Sequence, residues 1–136
     1  MLKKTITYLD YDGETVTDTV YFHLSEAEII MMNATPIGGL ENLLEKIIAE
    51  RDAGKLAGLI REIILKAYGK RNADSRRFEK SEEISREFEQ TQAYSKLFVE
   101  LISDANKTAE FVNAIIPHEM QKELAKHPEF IALNKA

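Results

Sequence analysis

The three histidines are the residues of this chain best suited to proton transfer or metal binding. His23 follows the second run of alternating apolar residues, whereas His118 and His127 lie in the last predicted helix. His118 and Glu119 begin like a zinc-protease helix, which needs a second histidine four residues after the first. That position holds Lys122, a cation that repels a metal ion. We therefore interpret the histidines as structural or surface residues and predict no metal site.

Carboxylates, glycines and cysteines give no indication of catalysis either. Glu26 and Glu28, like Glu82 and Glu83, are one or two positions apart and diverge on a helix, which is typical of solvated faces. Residues 54–58 lack the lysine and serine that follow the second glycine of a phosphate loop. The absence of cysteine excludes disulfides, thiol catalysis and thiolate metal sites. We predict no catalytic residue and no cofactor, and the residues favour a binding protein over an enzyme.

A basic cluster at residues 66–80 is the strongest indication of nucleic-acid binding. Asp74 and Glu79 interrupt it, and the net charge of −5 repels phosphate backbones at long range. We therefore favour a solvated loop and predict no nucleic-acid binding. A small helical DNA-binding or regulatory protein remains the alternative function. The cations of the cluster are Lys66, Lys70, Arg71, Arg76, Arg77 and Lys80.

Length and hydropathy favour one water-soluble domain over residues 1–136. A hydrophobic fraction of 44% and a charged fraction of 30% are ordinary for a globular chain. No segment approaches the ~20 apolar residues that cross a bilayer. Thr5, Thr7 and Asp10 interrupt the start of the chain where a signal peptide needs an apolar run. We predict no membrane association and an intracellular location.

Residues 3–22 are predicted to form a β-hairpin, because apolar residues alternate with threonines in two runs. Asp12 and Gly13 lie between the runs, and the glycine supplies the positive φ that a tight turn needs. Two strands alone are marginally stable in water. The hairpin must therefore pack on helices or pair with another chain.

Beyond the hairpin the apolar spacing becomes that of helices. Ser25 and Glu28 form a capping box, and the helix that they open ends before Pro36. Apolar stripes at Leu40–Ile48 and Leu56–Tyr68 predict two further helices. Gly69 is expected to end the second of them, and residues 70–80 to form a loop. Later helices are predicted to begin at Ser81, near Thr91, at Asp104 and at Pro117.

These elements give an α+β chain that is mostly α. A hairpin at residues 1–24 precedes five to six short helices over residues 25–127, and residues 128–136 are expected to fray. Apolar residues outside the main stripes are candidates for contacts with a partner or a second copy. Unbranched methionines are well suited to such a surface because they can repack. The candidate contact residues are Ile30, Met31, Met32, Leu65 and Val99.

Several short segments occur in an order and at spacings that indicate one family. They are Lys4–Tyr8 with Asp10, Asp12 and Gly13; Tyr21 and Phe22 before Leu24–Glu28; Gly38–Leu40; Ile63–Gly69; Arg77 and Phe78 with Lys80–Glu83; Thr91 with Ala93 and Tyr94; Asp104; and Phe111–Asn113 before Ile116 and Pro117. In these segments the chain resembles the tail assembly chaperones of siphoviruses and prophages of Gram-positive bacteria. The resemblance extends to about Glu119 and so covers almost the whole chain.

The resemblance implies a non-catalytic role in building a phage tail. Chaperones of this family coat the tape measure protein, a long helical protein that would otherwise aggregate, and give way as tail tube subunits polymerise around it. The implied partners are the tape measure protein and the tail tube protein. We also predict self-association, with the exposed edge of the hairpin from Ile6 to Phe22 as a candidate contact between copies. The implied location is the cytoplasm of the bacterial host, with no place in the mature virion.

Overall fold

The structure, a computed structural model, describes residues 1–33, 49, 51–74 and 76–117, with only the backbone of Met32 and Asn33. Its elements are β1 (Leu2–Leu9), β2 (Thr15–Phe22), α1 (Glu26–Asn33), α2 (Ala53–Ala67), β3 (Tyr68–Arg71), β4 (Phe78–Glu79), α3 (Glu82–Glu89), α4 (Gln92–Ile102) and α5 (Ala105–Ile115). This order confirms an α+β, mostly α chain that opens with a hairpin. The predicted helix at Leu40–Ile48, the helix after Pro117 and the frayed tail lie outside the described residues.

The hairpin forms as the alternation predicts. β1 and β2 are antiparallel over their full lengths, with Leu2 opposite Phe22 and Leu9 opposite Thr15. Gly13 adopts φ 82°, the left-handed conformation expected of the turn. The carboxylate of Asp10 accepts hydrogen bonds from the backbone N–H groups of residues 12 and 14, both at 2.9 Å. Asp10 therefore fixes the turn, a role that the sequence prediction did not assign.

Residues 70–80 are not wholly a loop, so that prediction was wrong. β3 and β4 extend the hairpin into a four-stranded sheet in the order β1-β2-β3-β4. Tyr21 lies opposite Gly69, and Lys70 lies opposite Glu79. These strands are too short and polar to show a period of two. The extended conformation of β3 depends on hydrogen bonding to the edge of β2, which is distant in sequence, and β4 in turn pairs with β3.

Gly69 also has a different role from the one predicted. α2 ends at Ala67, and Tyr68 is already extended with φ −67° and ψ 139°. Gly69 lies within β3, buried beneath Phe78, where an added Cβ would be 2.7 Å from the Cε2 atom of that ring. The glycine is therefore required by close packing between β3 and β4, not by helix termination.

The predicted helix starts at Ser25, Ser81, Thr91 and Asp104 are confirmed by hydrogen bonds at their caps. Ser25 Oγ accepts from the N–H of Glu28 at 3.1 Å, and Glu28 Oε1 accepts from the N–H of Ser25 at 3.0 Å, the two bonds of a capping box. Side chains of Ser81, Thr91 and Asp104 accept backbone N–H groups at the starts of α3, α4 and α5. Asp52 caps α2 in the same way and was not predicted.

The hydrophobic core lies between the inner face of the sheet and the helices α2, α4 and α5. Phe22 is fully buried at its centre, with its ring edge-on to Tyr68, Phe88 and Phe111. Tyr68 and Phe88 are stacked with ring centroids 4.0 Å apart. This aromatic group joins the end of the sheet to α3 and α5. Within the described part of the chain, every helix is too short or too polar to span a bilayer.

Candidate functional site: a groove between α2 and α4

The residues predicted as partner contacts differ in exposure. Ile30, Met31 and Val99 are exposed, with 57%, 67% and 55% of their surface accessible. Leu65 is partly buried and packs against the core. The side chain of Met32 lies outside the described part of the chain. Ile30, Met31, Leu65 and Val99 line neither of the two grooves described below.

The basic cluster at residues 66–80 does not form one cationic track. Arg71, Arg76 and Arg77 line one groove, which Lys66, Lys70 and Lys80 do not line. Four of the six cations contact carboxylates, and these carboxylates lie on four different elements. These ion pairs are Lys66 with Glu62, Lys70 with Glu87, Arg77 with Glu79, and Lys80 with Glu28. The arrangement gives little support to binding of a continuous phosphate backbone by this cluster.

Lys80 joins three elements around His23. Its ammonium donates to Glu28 Oε2 at 2.6 Å, to the carbonyl of His23 at 2.6 Å and to the carbonyl of Lys66 at 2.9 Å. Burial lowers the pKa of His23 and of Lys80. Burial alone would raise the pKa of Glu28, but hydrogen bonds from Lys80 and Ser25 outweigh it and lower that pKa. The three hydrogen bonds of Lys80 have a structural role, because they hold α1, the end of β2 and the end of α2 together. His23 lines neither groove.

The best candidate site is an open groove of about 460 Å³ between α2, α4 and the tip of the hairpin, which we call the helical groove. It is lined by Tyr11, Ala57, Gly58, Arg61, Glu89, Thr91, Gln92, Tyr94, Ser95 and Phe98. A groove of this size falls in the range of known binding pockets. Its residues come from three separate regions of the chain, so only the folded protein forms it.

Hydrogen bonds at the hairpin tip and at the junction of α3 and α4 determine the shape of the helical groove. The hydroxyl of Tyr11, at the hairpin tip, donates to the carbonyl of Gln90 at 2.9 Å. Thr91 ends one helix and begins the next, since its hydroxyl donates to the carbonyl of Phe88 at 2.7 Å and accepts the N–H of Tyr94 at 3.2 Å. These bonds hold the hairpin tip against the junction of α3 and α4.

An ion pair joins α2 to the end of α3 at the rim of the helical groove. Arg61 donates through Nε and Nη2 to the two carboxylate oxygens of Glu89, at 2.5 and 3.0 Å. The two parallel bonds hold the pKa of Glu89 below its ordinary value and raise that of Arg61. Because each charge neutralises the other, the rim is polar without carrying net charge.

The interior of the groove combines two aromatic rings with small residues. Tyr94 and Phe98 are partly buried, with ring centroids 6.0 Å apart. Burial raises the pKa of Tyr94, so its phenol is neutral. On the opposite wall Ala57 and Gly58 present little side chain, and a Cβ added at Gly58 would meet nothing within 4 Å. A partner backbone can therefore approach α2 closely.

This chemistry suits non-covalent docking of an apolar segment. The hydroxyl of Thr91 is already used in capping, and Arg61 and Glu89 are engaged with each other. The described residues hold no group of three or more His, Asp or Glu suited to a metal ion. The sequence analysis predicted neither the two aromatic residues Tyr94 and Phe98 nor Gly58 as partner contacts. The adjacent small residues Ala57 and Gly58 were the available signal.

Comparison with known proteins identifies the family. A family model described as phage tail assembly chaperone matches residues 1–134. No curated protein and no solved structure matches the chain. The match covers nearly all of the sequence, including every described helix and strand. The chain therefore belongs to the phage tail assembly chaperone family.

Proposed function

We propose that this chaperone binds the tape measure protein through the helical groove, keeps it in solution, and releases it to tail tube subunits as they assemble. The observation that carries the proposal is the pairing of an aromatic floor, Tyr94 and Phe98, with the open wall at Gly58. An amphipathic client helix would place apolar side chains on the rings and its backbone beside the glycine. The Arg61–Glu89 pair would meet polar residues at the edge of such a helix.

Release requires that each contact be weak. The helical groove is open and about 460 Å³ in volume, so it accommodates a short stretch of a long client. Many copies along one client would give a strong total interaction, while each copy could be displaced singly by a tube subunit. Ile30, Met31 and Val99 are exposed apolar residues that support further contacts with the client or with neighbouring copies. Leu65 and Met32 are retained as weaker candidates for the same contacts.

The proposed role is binding without catalysis, in the cytoplasm of the bacterial host, by a protein that leaves before the virion is complete. The alternative, a DNA-binding regulator, is less favoured because four of the six cations at residues 66–80 pair with carboxylates. Self-association along the exposed edge of β1 is also less favoured. Lys4 points from that edge towards Glu100, at 3.5 Å, and an inward charge of this kind discourages edge pairing.

The proposal is tested by co-expressing the chain with the tape measure protein of the same phage or prophage. We expect the client to be largely insoluble alone, and to become soluble and co-purify with the wild-type chaperone. Gly58→Leu should abolish co-purification, because the new side chain occupies the open wall of the helical groove. A client that is equally soluble with and without this chain would rule out the chaperone role.

A matched control separates groove blocking from misfolding. Glu110→Leu adds the same side chain at an exposed position of α5 that lines neither groove, and should leave co-purification unchanged. Gly58→Leu should fold at least as well as the wild type, since glycine inside a helix is unfavourable. Circular dichroism melting curves check this point. A folded Gly58→Leu variant that still binds the client would assign binding to another surface.

A further inference from the structure

A second groove, of about 420 Å³, lies on the sheet side of the protein, where the start of β1 meets the ends of β2 and β3. We call it the basic groove. It shares no residue with the helical groove. Its lining residues are Met1, Lys3, Tyr21, Arg71, Arg76, Arg77 and Phe78.

The basic groove concentrates positive charge in a chain whose net charge is −5. Among its described lining residues, every charged side chain is a cation. Arg77 makes a single contact with Glu79 at 3.3 Å, and both side chains are exposed. Within the described part of the chain, neither Lys3 nor Arg76 has a carboxylate at ion-pair distance. The charges of Lys3 and Arg76 are therefore available to an anionic partner.

Aromatic rings interleave with these cations. The guanidinium of Arg71 lies over the ring of Tyr21, 5.2 Å from its centroid. Phe78 contributes a second ring, held in place by its close packing on Gly69. Guanidinium groups present paired N–H donors that match a carboxylate, and aromatic faces bind apolar side chains. The groove thus offers both kinds of contact within a few residues.

We propose that the basic groove binds an acidic, extended segment of a protein partner. Its carboxylates would lie against Lys3, Arg76 and Arg77. An apolar or aromatic side chain of the same segment would lie against Tyr21 and Phe78. The proposal goes beyond the chaperone role assigned to the helical groove and does not depend on it.

The surroundings of the groove favour an acidic peptide over a nucleic acid. A nucleic acid needs cations that continue along its backbone. Here the neighbouring outer face of the hairpin is a neutral threonine ladder, with hydroxyl contacts between Thr5 and Thr19 at 3.4 Å and between Thr7 and Thr17 at 3.0 Å. Lys70, the nearest cation along β3, pairs with Glu87. A short segment with a few carboxylates fits this limited basic area.

The test uses the full chain and a fluorescein-labelled hexapeptide of glutamate and tyrosine, with binding followed by fluorescence anisotropy at low salt. A peptide with glutamine in place of glutamate is the first control. We expect Lys3→Gln/Arg76→Gln to bind the acidic peptide about tenfold more weakly, because two exposed ion pairs are lost. Lys70→Gln/Lys107→Gln removes two charges outside the groove and should bind as the wild type does.

Each outcome decides the proposal. Selective binding of the acidic peptide, lost in the groove variant alone, supports it. Equal binding of the glutamine peptide, or an unchanged groove variant, overturns it. Tighter binding of a labelled oligothymidylate would assign the groove to nucleic acid instead. Self-association in sedimentation velocity that the groove variant abolishes would assign it to a second copy. None of these measurements involves the tape measure protein, so failure here leaves the chaperone proposal untouched.

Discussion

Gly69 lies so close beneath Phe78 that a Cβ on the glycine would be 2.7 Å from the ring and 2.9 Å from the carbonyl oxygen of Glu79. Real Cβ atoms do not approach other atoms so closely, so β3 and β4 must separate to admit one. The contact couples the end of α2 to the last strand of the sheet. It also holds the aromatic wall of the basic groove.

Gly69→Ala is therefore expected to destabilise the protein by about 1–3 kcal/mol through overpacking. The free energy of unfolding in urea measures the change. Gly58→Ala is the matched control, since nothing lies within 4 Å of the added methyl group. That variant should gain about 0.5–1 kcal/mol from helix propensity. We therefore expect the free energy of unfolding to fall in Gly69→Ala and to rise in Gly58→Ala. An unchanged free energy of unfolding in Gly69→Ala would contradict the packing argument.

Replacing Lys80 with alanine should remove the hydrogen bonds that hold α1, the end of β2 and the end of α2 together. The variant leaves Glu28 and two backbone carbonyls without their shared donor. We expect a loss of about 2 kcal/mol in unfolding free energy, typical of hydrogen bonds to a charged group. Lys107→Ala is the control, because its pair with Glu100 at 3.6 Å is half-exposed. Its effect should stay below about 0.5 kcal/mol.

Acid should weaken the fold in two steps. The pKa of His23 is lowered from 6.5 by burial, and the pKa of Glu28 is lowered from 4.5 by its hydrogen bonds from Lys80 and Ser25, against the opposing effect of burial. When the pKa of a group is lower in the folded state, the unfolded chain binds more protons. The contribution of that group to the free energy of unfolding is therefore complete at pH values above its ordinary pKa, and it declines as the pH falls below that pKa. Urea unfolding between pH 7.5 and about 3 measures the profile.

Variants separate those two steps. His23→Gln should remove the decline that begins near pH 6.5, while Glu28→Gln should reduce the decline that begins near pH 4.5. Glu89, whose pKa is held low by Arg61, contributes to the second step and will keep part of it. A wild-type profile that is flat between pH 7 and 5 would contradict the burial of His23.

The hairpin turn should tolerate asparagine better than alanine at position 13. Gly13 has φ 82°, which costs an L residue roughly 1–2 kcal/mol, although asparagine adopts this conformation more readily. We expect Gly13→Ala to lower the melting temperature clearly and Gly13→Asn to lower it less. Thermal unfolding followed by circular dichroism measures both. Equal losses would contradict the argument from backbone conformation, since a Cβ added at this position would meet nothing within 4 Å.

The local elements of this protein were largely determined by short stretches of sequence. Alternating residues with Asp12 and Gly13 specified the hairpin, because strand period and turn conformation are properties of neighbouring residues. Ser25 with Glu28, and later Ser81, specified helix starts for the same reason, since a cap forms within four residues. The ordered segments also indicated the family that the comparison identifies.

Contacts between distant residues could be decided only by the tertiary structure. β3 became a strand because the edge of β2 was available to it, and β4 because β3 then offered a new edge. No local signal carries that information. The helical groove exists because Tyr11 reaches Gln90 and Arg61 reaches Glu89, each across a different pair of elements. The cations of residues 66–80 form one cluster in sequence, but the fold divides them: Arg71, Arg76 and Arg77 line the basic groove, whereas the three lysines pair with carboxylates. Sequence neighbours determine period and capping, whereas grooves and ion pairs depend on how those elements pack.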